Sequence, residues 1–165
     1  MTTYDSTIPT AMSQLLTLFN TVATANSPFG PAGQQSGIQV VDGVPIEYVA
    51  NYMIVLKGFS NWKQNWWTTG QAFDRLEEYD LDCQIHCWQG DTDPNGRRTE
   101  AFTILAAIRS QLYTQLQSGN GILGLPMSAD AAIDSGDALQ GPANGTSGWG
   151  IDLDFIIHVE NATLT

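Results

Sequence analysis

The sequence predicts an α+β fold in which two helices pack on one face of a mostly antiparallel or mixed β-sheet. Two observations carry that expectation. Apolar residues recur every three or four positions in Ile8–Ala25 and again up to Ser118, as one face of a helix requires. Apolar and polar residues alternate through most of Leu76–Gln89 and Trp149–Glu160, as a half-buried strand requires. A chain of 165 residues, 42% of them hydrophobic, is long enough to bury one core without staples, so a single domain over residues 1–165 is expected.

In chain order, helix 1 places Ile8, Met12, Leu15, Leu16, Phe19, Val22 and Ala23 on one face, with Thr7 as its N-cap and Pro9 in its first turn. Asn26–Gly37, rich in Pro, Gly, Ser and Gln, reads as a long loop. Short strands follow at Ile38–Asp42, closed by the turn signal Asp42-Gly43, and at Tyr48–Lys57. Gly58–Gly70, with Trp62, Trp66 and Trp67 among Asn, Thr and Lys, is expected to be a second long loop. In Leu76–Gln89, Tyr79, Leu81, Cys83, Ile85 and Cys87 alternate with Glu78, Asp80, Asp82, Gln84 and His86, giving one core face and one acidic face. A tight loop at Gly90–Gly96 leads into helix 2, from Arg97 or Thr99 to Ser118, with Gly119 fitted to its C-cap. Met127–Leu139 promises at most weak strands. The closing strand sets Ile151, Leu153, Phe155, Ile157 and Val159 against Asp152, Asp154, Ile156, His158 and Glu160.

Six Lys and Arg stand against seventeen Asp and Glu, a formal net charge of -11. Such a chain repels phosphate, and its cations are scattered except for Arg97-Arg98, so binding to nucleic acid through a basic patch is not expected. No basic-then-apolar leader opens the sequence, and no apolar run approaches the roughly 18 residues of a membrane span, so no membrane partner is expected either.

Nor is there a recognisable catalytic set. The clustered acids Glu77, Glu78, Asp80 and Asp82 lie on a regular strand, where a charged row is a solvated face, and no nucleophile elbow, Walker loop or zinc-protease helix is present. Cys83 and Cys87 lie four residues apart in a strand, about 13 Å, too far for a disulfide and without partners for a metal, so both are expected to be free and buried. His86 and His158 fall on polar strand faces, either as ordinary surface residues or as neighbours forming a pH-sensitive or metal pair. No enzyme, no cofactor and no metal site is expected. Two readings of the tryptophans stay open: a carbohydrate platform, or anchors to the body or to a neighbouring subunit.

Four stretches, in order, resemble the tail terminator proteins of long-tailed, non-contractile bacteriophages. They are Ile8-Pro9-Thr10-Ala11-Met12 through Leu15-Leu16, the turn Val41-Asp42-Gly43-Val44-Pro45, the strand from Glu78 through Asp80-Leu81-Asp82-Cys83 to Gly90-Asp91 and on to Arg97-Arg98, and the closing strand Ile151–Glu160. The resemblance implies a structural virion protein with a tail-terminator-like fold. Its copies would close into a homo-oligomeric ring, usually a hexamer, on the head-proximal end of the tail tube. That ring would stop tube polymerisation and join the tail to the head connector. Its partners would then be the tail tube protein and the head-tail connector protein, with genomic DNA passing through without specific binding. The place would be the neck of the virion tail after assembly in the host cytoplasm. On that reading Glu78, Asp80, Asp82, Asp152 and Asp154 are candidate channel-facing acidic rows. Trp66, Trp67, Asp91, Asp93, Arg97 and Arg98 are candidate contacts to neighbouring subunits or the tube. The alternatives are another phage neck or connector protein, and a small carbohydrate-binding module using Trp62, Trp66 and Trp67.

Overall fold

The computed structural model describes residues 6–25, 37–45, 50–69, 72–89, 93–142 and 148–163, with the side chains of 66–69, 72–74, 142 and 161–163 outside that description. The elements are α1 (Ile8–Ala25), β1 (Gln39–Asp42), β2 (Tyr52–Thr69), β3 (Ala72–Gln89), α2 (Pro94–Gln117), β4 (Asp130–Pro142) and β5 (Trp149–Thr163). The sheet runs in the order β1-β2-β3-β5-β4; β1 joins β2 in parallel and every other pairing is antiparallel. Two helices on a mixed sheet is the α+β layering expected from the sequence.

The periodicities explain which face each element buries. Ala11, Leu15, Leu18, Phe19 and Val22 of α1 and Ala101, Ile104, Ile108 and Leu112 of α2 pack on Tyr52, Ile54 and Leu56 of β2 and on the odd-numbered residues Tyr79–Cys87 of β3 and Ile151–Val159 of β5. Burying a core side chain of this size contributes about 1.5–3 kcal/mol. This face therefore holds the fold together. Cys83 and Cys87 are free and buried within it, and burial pushes the Cys87 thiol up to about 12.

The boundaries hold several corrections. The stretch expected as a loop from Gly58 is, as far as Thr69, the distal part of β2, and β3 begins four residues before Leu76, so the two strands form a long hairpin. Bulges at Leu56/Gly58 and Ser60/Lys63 break the alternation that a sequence pattern relies on. Gly58, with φ 150°, and Asn61, with φ 50°, take the unusual backbone at those breaks. β5 reaches β3 only as far as Leu76, and β1 touches β2 only over Met53–Leu56, so the distal hairpin stands as a two-stranded arm. The expected weak-strand region is a 13-residue strand, β4, paired with β5 along its length; its Ala, Ser, Gly and Asp residues carry little β signal, and the pairing comes from its neighbour. Helix 2 starts earlier than expected, at Pro94, because Asp93 is its N-cap: the carboxylate accepts the Gly96 N–H at 3.0 Å, and Pro94 opens the first turn. Gly119, with φ 70°, lies just past the helix end, as expected. Gly121 closes the turn that follows, where a Cβ would sit 1.9 Å from the Leu125 carbonyl oxygen. The expected loop at 26–36 and Asp91 lie outside the described residues. Among the described residues, no helix is long and apolar enough to cross a membrane.

Thr7 occupies the N-cap position of α1, its carbonyl accepting the Ala11 N–H at 3.0 Å, but its hydroxyl turns away to Glu77. Glu77 is a further correction to the acidic strand: it is not solvated but fully buried. Its carboxylate accepts the Thr7 N–H and hydroxyl at 2.7 Å each, the Trp62 indole N–H at 3.1 Å and the Gln64 amide at 3.2 Å. Burial alone would raise its pKa, but the Thr7, Gln64 and Trp62 bonds outweigh that, and it is held below the ordinary glutamate range. One carboxylate thus ties the start of α1 to the arm. Because its folded pKa is depressed, this stabilisation is complete above the unfolded value near ~4.3 and is lost as pH falls through the folded value. Glu77→Ala should lower stability by about 3 kcal/mol at neutral pH, with the deficit shrinking in acid, as read from urea midpoints at several pH values. An unchanged midpoint at neutral pH would contradict this role.

Candidate functional site on the helix-free face

The side of the sheet away from the helices collects the even-numbered residues of β3 and β5. Residues facing each other across the strands form rows: Met53, His86, Asp152 and Leu139; Val55, Gln84, Asp154 and Asp137; Gly58, Asp82, Ile156 and Ser135; Ser60, Asp80, His158 and Ala132. Glu78, Asp80, Asp82, Asp152 and Asp154, the candidate acidic rows, therefore lie on one face, but Asp80 is corrected from a solvated to a buried residue, held by Asn61 and His158. The strand register brings them together.

The two histidines are not neighbours. Each faces an aspartate instead: His86 Nδ1 lies 2.7 Å from Asp152 Oδ1, and His158 Nδ1 lies 2.7 Å from Asp80 Oδ1. Antiparallel pairing of β3 with β5 puts the two pairs six residues apart along the strand, about 20 Å, which rules out the alternative of a histidine–histidine pair. Among the described residues, no group of three or more His, Cys, Asp or Glu side chains is arranged to hold a metal. Further pairings bind the face across strands: Lys57 reaches over β3 to Asp154 at 2.6 Å, Lys63 meets Glu78 at 3.2 Å, Asn61 donates to Asp80 at 2.6 Å and Ser60 to Asp82 at 3.1 Å. Where the bulges at Leu56/Gly58 and Ile133/Ser135 meet one row, the face opens into a broad groove lined by Lys57, Phe59, Asp82, Asp137, Asp154 and Ile156.

The face also sets acid against acid: Asp137 stands directly opposite Asp154, which Lys57 offsets, and Asp130 opposite Glu160, and like charges in facing positions oppose the pairing of their strands. Asp130 and Asp137 carry part of the acidic face and escape sequence reading, because β4 lacks the alternation that would expose them.

The remaining candidates divide. Arg97 is corrected from a surface contact to a buried residue: it donates to the Tyr52 hydroxyl at 2.5 Å and pairs with Glu100 at 2.8 Å. Arg98 is exposed and donates to Gln140 Oε1 at 2.6 Å, while the Gln140 amide donates to the Pro94 carbonyl at 2.5 Å, so this pair clips α2 to β4. Asp93 is exposed but committed to its cap. Trp66 and Trp67 lie on the arm, facing Arg75 and Asp74 in the backbone register. Trp62 is 49% exposed with its indole N–H held by Glu77.

The hydrogen bond from Asp80, against a smaller opposing effect of burial and with the charges of Asp80, Glu78 and Glu160 adding to it, raises the His158 pKa above its ordinary value. Burial would raise Asp80, but the Asn61 and His158 bonds and the His158 and Lys63 charges lower it. A raised histidine stabilises the fold fully below its unfolded pKa and loses that contribution as pH rises through the folded value. A lowered aspartate contributes above its unfolded pKa and fails as pH falls through its folded value. The pair is thus strongest between the two. An NMR titration should place His158 above the ordinary ~6.5, and Asp80→Asn should bring it back down; a His158 pKa that Asp80→Asn leaves unmoved would refute the pairing.

No protein-family model matches the chain, and no curated protein matches it. Among solved structures it is similar to a chain of the virion of a native gene transfer agent particle, at 13% identity and a TM-score of 0.38, covering 91% of each chain. A likeness at that level carries no weight for function.

Proposed function

We propose that this chain is a structural virion protein of a phage-like particle, neither enzyme nor cofactor carrier, and specifically a ring-forming tail terminator. In this reading copies of the chain close into a ring, a hexamer on the resemblance described above, at the head-proximal end of the tail tube. The ring ends tube polymerisation and presents the surface that meets the head-tail connector protein. Genomic DNA passes through its centre without being bound.

The observation that carries the reading is the division of the sheet into a core face and an acidic face. Acid faces acid across β4 and β5, Asp130 opposite Glu160 and Asp137 opposite Asp154, with Lys57 offsetting only Asp154 of the four among the ion pairs described, so negative charge is concentrated on this face at some cost to strand pairing. Along a DNA channel that arrangement has a use. Duplex DNA carries about one negative charge per 1.7 Å, and a basic lumen would hold it by releasing counterions, whereas an acidic one lets it slide. A ring multiplies the formal charge of -11 by the number of its copies, creating a strong field in any lumen these rows line. The projecting arm, with Trp66 and Trp67, is a natural contact to a neighbour or to the tube.

Native mass spectrometry of the purified chain tests the first step: a closed ring of one size is expected, and a monomer at every concentration would overturn the reading. Particles carrying Asp80, Asp82, Asp152 and Asp154 all changed to Lys should eject DNA slowly or incompletely at low salt, with the defect relieved at high salt. Normal ejection at low salt would place the acidic rows away from the channel.

A further inference from the structure

Two strand edges of the sheet stand open among the described residues. β4 pairs with β5 on one side only, and its stretch Ser135–Pro142, beyond the bulge, is regular. β2 is covered by β1 only over Met53–Leu56, so the outer edge of its arm is unpaired, and Lys63–Thr69 is regular beyond the second bulge. An open edge offers a row of unpaired N–H and C=O groups, a template for another strand.

The two edges differ in charge. The arm from Lys57 to Thr69 carries Lys57 and Lys63 and no acidic residue, within a chain that is strongly acidic overall. β4 carries Asp130, Asp134 and Asp137 and no basic residue. A second arm edge beside β4 brings the positive charge of Lys63, 63% exposed although it meets Glu78 in its own chain, close to a strand whose three charges are all acidic. Exposed apolar side chains lie beside the same edge. Phe102 of α2 lines a shallow groove with Ile133 and Ala138 of β4, and Leu116 lines another with Arg109. Ordinary surface leaves such a strip uncovered at a cost that an added strand would remove.

We propose that the outer edge of β4 in one copy pairs with the outer edge of the β2 arm, Lys63–Thr69, in a second copy, so that the sheet continues from subunit to subunit. The contact joins two different patches, and such a heterologous interface closes into a ring when its rotation permits. The inference rests on the ring reading above and adds to it the interface that builds the ring.

A charge exchange combined with hydrogen exchange tests it on the full chain. Asp137→Lys alone and Lys63→Glu alone should each weaken association about tenfold at low salt, and the two together in one chain should restore it. On association, the amides of Ser135–Gly141 and Lys63–Thr69 should become protected together. A ring whose formation leaves those amides unprotected would overturn the edge pairing while leaving the ring reading standing. Absence of any ring would remove both. Single reversals without effect, or a double variant no better than the singles, would overturn the charge match on which the pairing is built, and a variant that fails to fold leaves the wild-type exchange pattern to decide.

Discussion

β3 is hydrogen-bonded on both sides along most of its length, to β2 from Ala72 to Cys87 and to β5 from Leu76 to Gln89, and everything else is arranged around its register. A one-residue slip would exchange its two faces, moving Tyr79, Leu81, Cys83, Ile85 and Cys87 away from the helices and turning Asp80, Asp82 and His86 towards them. The helices enforce the register by covering only an apolar surface. Their packing is therefore what presents the acidic residues together on the opposite side.

The repulsion within an acidic face is lowered by pairing across strands rather than within them. His86 with Asp152, His158 with Asp80 and Lys57 with Asp154 each bridge neighbouring or next-neighbouring strands, so the charges that would oppose the sheet also tie it together. Of these, Lys57 with Asp154 is the most exposed, and a pair at the surface contributes about 0–1 kcal/mol, so the weight of the fold stays with the apolar face. Among the described residues two carboxylates are buried, Asp80 with His158 and Asn61 on the acidic side and Glu77 on the other. The parity of Glu77 assigns it to the core side, where it is retained as a charge because Thr7, Trp62 and Gln64 all donate to it.

Much of this is legible in the sequence wherever one period runs unbroken. Helix 1 matches its predicted limits, Ile8–Ala25, and the two alternating strands lie where the period of two dominates. Reading fails where the period is interrupted or absent. The bulges around Gly58 and Asn61 disguise the arm as a loop, and β4, built of Ala, Ser, Gly and Asp, is a strand because β5 offers it an edge. Asp93-Pro94 is a visible helix start inside a stretch that reads as loop, and Glu77 shares the odd-number parity of Tyr79 and Leu81, a signal that alone would have placed it inside. The acidic rows are recognisable residue by residue, but their partners are not. Which side chain faces His86 or His158 depends on the register between strands distant in sequence, and one strand's pattern does not contain that information.

We propose that the helix-free face is the functional surface of an assembly, with the core face reserved for stability. Electron cryomicroscopy of the ring proposed above tests this most directly, because it places each face relative to the channel. Asp82 and Asp154 should line the lumen, while a ring that carries them on its outer wall would contradict the proposal.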